Sequence, residues 1–345
     1  MNALPDAIRD EAELERLLTT PSTTLVGFFR RLNGDLLILG AAGKMGVSLA
    51  GLAARAVAAS GVPRRILAVA RFSNPEARRQ LEAVGAETWQ ADLLNPDEVA
   101  RLPAAPNVLF MVGRKFGTEQ DTALTWAVNT AAPALAAARY AGSRLVVFST
   151  GCVYPLVSAA TGGSREEDPL EPVGEYAQSC VARERVFAHY AGVHGTPMCF
   201  YRLNYATDLR YGVLHDIAQR VWAGQPVDLT VGWFNTVWQG WANEVALRAL
   251  ELCAVPPAPL NVTGPELLRT REVAEEFGCL MGRPVTFTGP EGDRNYLNNA
   301  ARAHALFGRP AVTAERLIRW QAHWIMAGGS TLGKPTQFEV NDGRF

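Results

Sequence analysis

Short apolar segments alternate with longer alanine- and leucine-rich segments through the first 200 residues or so of the chain. The short segments have the length of buried parallel strands, and the longer ones have the length and composition of helices. Strands are predicted at Asp35–Gly40, Arg65–Ala70, Glu87–Gln90, Val108–Val112, Arg144–Ser149 and Met198–Leu203. Helices are predicted at Gly46–Ser60, Pro75–Val84, Asp121–Ala141 and Glu175–Ala191. This alternation is typical of an α/β fold with a doubly wound parallel sheet, the Rossmann architecture.

The regions on either side follow looser patterns, so the chain divides into four predicted parts. Residues 1–34 are acidic and amphipathic and predict a helical N-terminal extension. Residues 35–204 form the predicted dinucleotide-binding domain. Residues 205–330 form a smaller, mainly substrate-binding mixed domain, which is interleaved with the first because Leu260–Val262 is expected to return to the main sheet. Residues 331–345 form a polar C-terminal tail, which we expect to fold back on its own subunit or on a partner.

Composition excludes several classes of protein. The formal net charge is −1, whereas nucleic-acid and membrane-surface proteins need a basic field. No apolar run approaches the roughly 20 residues of a membrane span. The five cysteines include no CxxC pair and no histidine cluster, which argues against a metal site and a disulfide framework. We therefore expect a cytoplasmic protein without a membrane or nucleic-acid partner.

A glycine-rich loop, GAAGKMG, joins the first strand to the first helix. Its glycines, three residues apart, permit a tight turn and a close approach of the backbone to a pyrophosphate, which the helix N-terminus attracts. The same spacing also occurs where small residues only permit close packing. The flanking strand and helix favour the phosphate loop, which makes Gly40, Gly43, Lys44, Met45 and Gly46 the expected cofactor contacts.

The residue that ends the second strand bears on the choice of cofactor. NAD-binding folds tend to place an acidic residue there, where it accepts from a ribose hydroxyl. This chain has Arg71, and an arginine suits a 2′-phosphate. The sequence therefore favours NADP over NAD, unless Arg71 is an ordinary solvated surface residue.

Further motifs follow in chain order: Asp92 in Ala-Asp-Leu, Asn129 in WAVNTAAPALAAAR, Thr150 in FSTGCVYP, Tyr176 in GEYAQSC and Asn204 in Arg-Leu-Asn. Together with the glycine loop, they resemble the extended short-chain dehydrogenase/reductase family, the NAD-dependent epimerase/dehydratase group. The resemblance runs from about residue 35 to residue 204 and continues loosely to about residue 325.

This resemblance implies hydride transfer at a hydroxyl-bearing carbon of a sugar or nucleotide sugar, with NADP or NAD as cofactor. It implies that Tyr176 transfers the hydroxyl proton, with Thr150 beside it. Further cofactor contacts are expected at Asp92, Leu93, Gly113 and Asn129. Substrate contacts are expected at Arg114, Cys152, Asn204, Trp238 and Gln239.

The resemblance also bears on the reaction and on assembly. The family's dehydratases carry Asp-Glu directly after the catalytic threonine, whereas this chain has Gly151 and Cys152, so dehydration is the least favoured reaction. In the family, the helix pair equivalent to Asp121–Ala141 and Glu175–Ala191 forms a four-helix dimer interface, which implies a homodimer. For the phosphates of a nucleotide sugar, Arg202, Arg210 and Arg220 are candidate contacts. The tryptophan-rich segment 233–243 is either a sugar-binding surface or a structural cluster.

One departure from the family pattern affects the chemistry directly. The family has a lysine four residues after the tyrosine, where its charge lowers the pKa of the phenol, and this chain has Cys180. Three explanations are open. Another cation replaces the lysine, the best candidate being Lys115 and the next Arg114, unless Lys115 is an ordinary solvent-exposed loop residue. Alternatively, Thr150 works with another group, or the protein has lost catalysis and binds the cofactor as a sensor or scaffold.

Overall fold

Seven parallel strands form the centre of this computed structural model, which describes residues 4–334 and 336–344. The first half of the chain contains α1 (Glu11–Leu18), α2 (Thr23–Arg31), β1 (Leu36–Leu39), α3 (Gly46–Ser60), β2 (Ile66–Ala70), α4 (Pro75–Ala83), β3 (Glu87–Gln90), α5 (Pro96–Arg101), β4 (Asn107–Phe110), α6 (Thr122–Trp126), a π-helical turn (Ala127–Ala131), α7 (Ala132–Arg139) and β5 (Arg144–Thr150).

The second half begins with 3₁₀ turns at Gly151–Val153 and Ala159–Thr161 on either side of β6 (Val157–Ser158). The elements after these are α8 (Gly174–His194), β7 (Met198–Leu203), β8 (Ala206–Thr207), α9 (Val213–Trp222), β9 (Val227–Asp228), β10 (Trp233–Phe234), β11 (Val237–Trp238), α10 (Gln239–Arg248), a 3₁₀ turn (Ala249–Leu252), β12 (Ala258–Val262), β13 (Leu268–Arg269), α11 (Thr270–Met281), β14 (Phe287–Thr288), β15 (Arg294–Asn295), α12 (Ala301–Phe307) and α13 (Ala314–Met326).

The order of strands across the sheet is β12-β7-β5-β4-β1-β2-β3. After β3 at one edge, the chain crosses back to β4 on the other side of β1. The connections therefore diverge between β1 and β4, and in such sheets ligands bind in the crevice outside the carboxyl ends of the strands at this point. The doubly wound α/β fold predicted from the sequence is confirmed.

Both faces of the sheet are covered, which explains why its strands have continuous apolar sequences. Leu36 and Ile38 of β1 pack towards α2, α3 and α10, whereas Leu37 and Leu39 pack towards α5, α7 and α8. All four side chains are fully buried. The alternation of side chains along a strand thus supplies two separate cores from one apolar segment.

The observed elements differ from the predicted ones in a few places. The N-terminal extension contains two helices, and the helix predicted over residues 121–141 is interrupted by the π-helical turn. Helix α5 was not predicted, although Asn95 caps it with its side chain and Pro96 opens it. This helix has only six residues, too few for a clear apolar period.

Helices α9, α11 and α13 pack together with α1 around a further apolar core in the C-terminal region. Strand β12 pairs with β7 at the edge of the main sheet, as the sequence predicted for residues 260–262. Among the described residues, no helix is long and apolar enough to cross a membrane.

The described part of the C-terminal tail folds back on its own chain, as expected. The backbone N–H of Thr336 donates to the carboxylate of Asp216 over 2.7 Å, and the Thr336 hydroxyl donates to the same oxygen. Phe338 is fully buried, and Glu339 forms an ion pair with Arg220 of α9 at 2.9 Å. These contacts hold the tail beside the carboxyl edge of the sheet.

A buried ion pair joins α8 to β7. Arg202 donates to both carboxylate oxygens of Glu184 at 3.0 and 2.7 Å, and the Ser149 hydroxyl donates to the same carboxylate at 2.6 Å. The Arg202 and Glu184 side chains are only 6% and 3% exposed. Removing one member of such a pair leaves the other charge buried and unpaired.

We therefore expect Glu184→Gln to lower the free energy of unfolding by about 3 kcal/mol, as measured by urea denaturation. Glu82→Gln is the matched control, because it removes the same charge from the exposed Arg78–Glu82 pair and should leave stability nearly unchanged. Equal effects of the two substitutions would contradict the importance of the buried pair.

Candidate active site

Two adjoining halves of one cleft open at the carboxyl edge of the sheet, with volumes of about 400 and 420 Å³. We call them the Arg71 half and the Tyr176 half after a residue that lines each. Both halves are lined by Gly40, Gly43, Met111, Gly113, Lys115 and Phe116. The glycine loop and the loop after β4 thus form the shared middle of the cleft.

The glycine loop can hold a pyrophosphate. Gly40 has a φ of +90°, and a Cβ atom there would lie 2.9 Å from the Val112 side chain. A Cβ atom at Gly46 would lie 2.1 Å from the Ala41 carbonyl oxygen, so any larger residue would push the helix away from the loop. No side chain caps α3 at Met45, which leaves the positive end of a 15-residue helix to attract an anion.

The Arg71 half contains the residues predicted to recognise the adenosine end of a cofactor. Arg71 is exposed at the end of β2, and Asp92 and Leu93 line the same space after β3. The Asp92 carboxylate accepts from the Leu94 N–H at 3.0 Å, which fixes its orientation. The structure therefore brings these three predicted residues together.

Asn129 has a different position from the one predicted. It is fully buried in the π-helical turn and does not line the cleft. Its amide exchanges hydrogen bonds of 2.9 and 3.0 Å with the Arg114 backbone and donates to the Ser179 hydroxyl at 2.8 Å. Asn129 therefore attaches the loop after β4 to α8 and acts on the cleft through that loop.

The Tyr176 half brings together the predicted catalytic residues. Thr150 ends β5, Tyr176 lies in the first turn of α8, and their side chains are hydrogen-bonded. The Lys115 ammonium lies 5.9 Å from the centre of the Tyr176 ring and 3.5 Å from the Thr336 carbonyl oxygen. Lys115 is thus directed into the cleft, so it is not an ordinary solvent-exposed loop lysine.

The protonation of this half follows from its burial. Burial raises the pKa of Tyr176 well above its ordinary value, and the neighbouring Cys180 and Cys152 raise it further. Arg183 and the hydrogen bond with Thr150 act in the opposite direction. Burial also raises the pKa of the Cys180 thiol, so position 180 holds a neutral thiol.

Sequence reasoning missed Arg183, which lies seven residues after Tyr176, about two turns along α8. This arginine is only 4% exposed and donates to the Phe148 carbonyl oxygen at 3.0 Å and to Asn129. A Cβ atom at Gly113 would lie 2.7 Å from its guanidinium, so the glycine is what permits this approach. The sequence did contain a signal for Arg183, because two residues seven positions apart in a helix lie on the same helix face.

Two predicted substrate contacts lie elsewhere. The Arg114 guanidinium donates to the Gly117 carbonyl oxygen at 3.0 Å in the Arg71 half, so it does not approach Tyr176 as the second-choice cation. Trp238 is 5% exposed and packs edge-on against Trp320, with ring centres 5.6 Å apart. Its indole belongs to the core of the C-terminal region. The other predicted contacts, Cys152, Asn204 and Gln239, line the Tyr176 half.

The arginines considered as phosphate contacts are committed to protein carboxylates. Arg202 is paired with Glu184, Arg210 with Asp208 and Glu15, and Arg220 with Glu339. The structure thus assigns these three arginines to internal ion pairs. In the described residues, no group of three or more histidine, cysteine or acidic side chains is placed to hold a metal ion.

A family model described as NAD dependent epimerase/dehydratase matches residues 36–206, about half of the chain. The chain belongs to the NAD dependent epimerase/dehydratase family. The matched segment includes the glycine loop, the loop after β4, Thr150 and Tyr176. No curated protein sequence matches the chain.

Solved structures of similar fold include members with different activities. UDP-glucuronic acid 4-epimerase from Bacillus cereus, solved as a variant with UDP-4-deoxy-4-fluoro-glucuronic acid and NAD, is 14% identical and superposes with a TM-score of 0.70 over 85% of this chain and 99% of that one. UDP-glucose 4-epimerase from Thermus thermophilus with NAD is 22% identical, with a TM-score of 0.67 over 84% and 98%. dTDP-glucose 4,6-dehydratase from Bacillus anthracis with NAD is 16% identical, with a TM-score of 0.70 over 85% and 97%. At these identities the likeness establishes that this epimerase/dehydratase family member shares their fold.

Proposed function

We propose that this protein is an NAD(P)-dependent epimerase or oxidoreductase that acts at a hydroxyl-bearing carbon of a sugar or nucleotide sugar. The observation that carries the proposal is the convergence of Thr150, Tyr176 and Lys115 in one cleft with the glycine loop. The similar structures bound to NAD and UDP-sugars support the same cofactor and substrate classes.

In this proposal Tyr176 exchanges a proton with the substrate hydroxyl, and Thr150 orients the phenol through their hydrogen bond. A bound nicotinamide dinucleotide would supply the acceptor or donor of the hydride. Because burial raises the pKa of Tyr176, the phenol holds its proton in the free protein and needs positive charge to release it. The 5.9 Å between the Lys115 ammonium and the ring centre, and the lowering effect of Arg183 on the Tyr176 pKa, support a role for both cations in stabilising the phenolate.

The alternative of a catalytically impaired sensor or scaffold would be favoured if no cation lay close to Tyr176. Lys115, with its ammonium 5.9 Å from the ring centre, and Arg183, which lowers the pKa of the phenol, remove the main reason for that alternative. The Thr150–Tyr176 hydrogen bond likewise favours a catalytic arrangement.

The role of Lys115 leads to a mutational test. We expect Lys115→Met to lower turnover by about ten-fold or more, because each unit of increase in the Tyr176 pKa costs a factor of ten in phenolate. Cofactor affinity should stay nearly unchanged. Cys180→Ala should do little, since a neutral thiol supplies no charge. Steady-state kinetics with a dinucleotide readout measures turnover, and full activity of Lys115→Met would contradict the proposed role.

We expect tighter binding of NADP(H) than of NAD(H), by about ten-fold, because an arginine–phosphate contact contributes about 1.5–3 kcal/mol. Arg71→Ala should abolish the difference. Arg79→Ala, on the neighbouring exposed face of α4, should preserve it. Titration by fluorescence quenching measures all affinities, and equal affinity of the unchanged protein for the two cofactors would refute the preference.

The homodimer implied by the family stays a prediction. Helices α7 and α8 pack against each other on one face of the sheet, as the interface would require. Light scattering at micromolar concentration should give twice the mass of the 37.3 kDa chain. A monomeric mass would exclude this assembly.

A further inference from the structure

The C-terminal tail connects α9 to α8 beside the Tyr176 half of the cleft. Thr336 lines this half, and its N–H donates to the carboxylate of Asp216 in α9 at 2.7 Å. Further along the tail, Gly343 lies against Gly174, the first residue of α8. The tail thus runs from the helix that begins at one side of the cleft to the helix that carries the predicted proton-transfer tyrosine.

The contact between the tail and α8 joins two backbones directly. A Cβ atom at Gly343 would lie 2.5 Å from the Val173 carbonyl oxygen and 2.6 Å from the Gly174 Cα atom. Both glycines have left-handed backbone conformations, with φ values of +81° and +80°. Only glycine adopts this conformation without strain while allowing so close an approach, so the contact requires glycine on both sides.

The middle of the tail is built into the fold. Phe338 is fully buried in the core of the C-terminal region, with its ring centre 6.4 Å from that of Phe234. The side-chain amide of Asn341 donates to the Thr230 carbonyl oxygen at 3.5 Å. The tail is therefore attached along its length and does not merely rest on the surface.

The space that the tail leaves for a substrate is limited. The Tyr176 half has a volume of about 420 Å³, towards the lower end of the roughly 300–1,000 Å³ of ligand pockets. It has to receive the reacting end of the cofactor as well as the substrate. Where α9 begins, its lining consists of residues 211–213 together with Thr336. A substrate that extends past the start of α9 therefore meets the tail.

The tail also changes the charge that a diphosphate would meet. Arg220 of α9 was a candidate phosphate contact, and it is paired with Glu339 of the tail at 2.9 Å. Asp216, which the tail contacts through Thr336, adds a second carboxylate on the same helix. A diphosphate beside the tail would have to approach two acidic side chains and compete with one of them for Arg220, which is electrostatically unfavourable.

We propose that the C-terminal tail is a fixed wall of the substrate site, and that it restricts the substrate to a small hydroxyl-bearing compound without a nucleoside diphosphate. The proposal rests on the proposed function in that it takes the Tyr176 half as the substrate site. Of the two substrate classes named there, it selects the free sugar or a compound of similar size. The tail is then a specificity-determining segment that stays in place while the substrate binds.

Two ligands that share one sugar test this restriction. Methyl α-D-glucopyranoside and UDP-glucose both present a glucosyl group, and they differ in the nucleoside diphosphate. In protein saturated with NADP, saturation-transfer NMR should show that UDP-glucose binds no more tightly than the methyl glucoside, or does not bind. Binding of UDP-glucose that is tighter by about ten-fold or more would overturn the proposal, because the nucleotide would then contribute to affinity.

Loosening the tail should relieve the restriction. The double variant Glu339→Ala/Gly343→Val frees Arg220 and separates the tail from α8, and it leaves Phe338 in its core. We expect this variant to bind UDP-glucose several-fold more tightly than the unchanged protein does. Affinity for methyl α-D-glucopyranoside should stay the same, which general damage to the fold would not produce.

A matched control makes the same two kinds of substitution away from the cleft. Glu315→Ala removes a carboxylate from the exposed Arg319–Glu315 pair of α13. Gly61→Val changes a glycine with a φ of +72° that has no other group within 4 Å of a Cβ atom. The combined control variant should bind both ligands as the unchanged protein does.

Hydrogen exchange of the tail shows whether it moves. The Thr336 N–H donates to Asp216, and the Phe338 N–H donates to the Thr336 hydroxyl at 3.2 Å, so both amides should exchange slowly. Protection should be unaffected by UDP-glucose in the unchanged protein and reduced in the double variant. If the double variant retains it, Phe338→Ala is added to release the tail.

Two further results would overturn the proposal. Loss of protection in the unchanged protein as UDP-glucose binds would make the tail a displaceable cover. A released tail without any gain in UDP-glucose binding would show that the tail is not what excludes the nucleotide. Failure of the proposed function would show separately, as the absence of NADP and NAD binding when no sugar is present.

Discussion

The hydrogen bonds of the buried Asn129 amide hold the cleft together. They connect the backbone of the loop after β4 with Ser179 and Arg183 of α8. An unpaired polar group in this position would carry a desolvation cost, so all three segments are held in one relative placement. The loop carries Lys115 and the helix carries Tyr176, and their separation is therefore set by a residue that lines neither half of the cleft. The π-helical turn is the local distortion that directs Asn129 inwards.

Several arginines and two of the lysines have different surroundings in this protein. Arg202, Arg210 and Arg220 are paired with carboxylates, where the planar guanidinium forms several hydrogen bonds at once. Lys44 and Lys115 instead line the Tyr176 half of the cleft. The three arginines therefore contribute to the stability of the fold, whereas these two lysines lie in the cleft.

Burial shifts the pKa of the tyrosine phenol and the pKa values of the lysines in the cleft in opposite directions. It raises the pKa of Tyr176 and lowers the pKa of Lys44 and Lys115, since in each case the neutral form is favoured away from water. The buried cleft therefore favours the protonated phenol and disfavours the charged form of its lysines. A bound anion would raise these lysine pKa values and couple its binding to proton uptake, whereas a bound cation would have the opposite effect.

Local sequence was sufficient to predict the parallel sheet and the glycine loop, because period and spacing along one segment determine strands, helices and their ends. Thr150 and Tyr176 were instead singled out by the resemblance to the family. Local sequence was not sufficient to place Trp238 in a core against Trp320, or to bring Thr336 of the tail to Asp216. These contacts join residues that are far apart in the chain, and their geometry depends on how complete elements pack. The sequence by itself thus determined the fold and the residues able to do chemistry, whereas the tertiary structure decided which cations surround them.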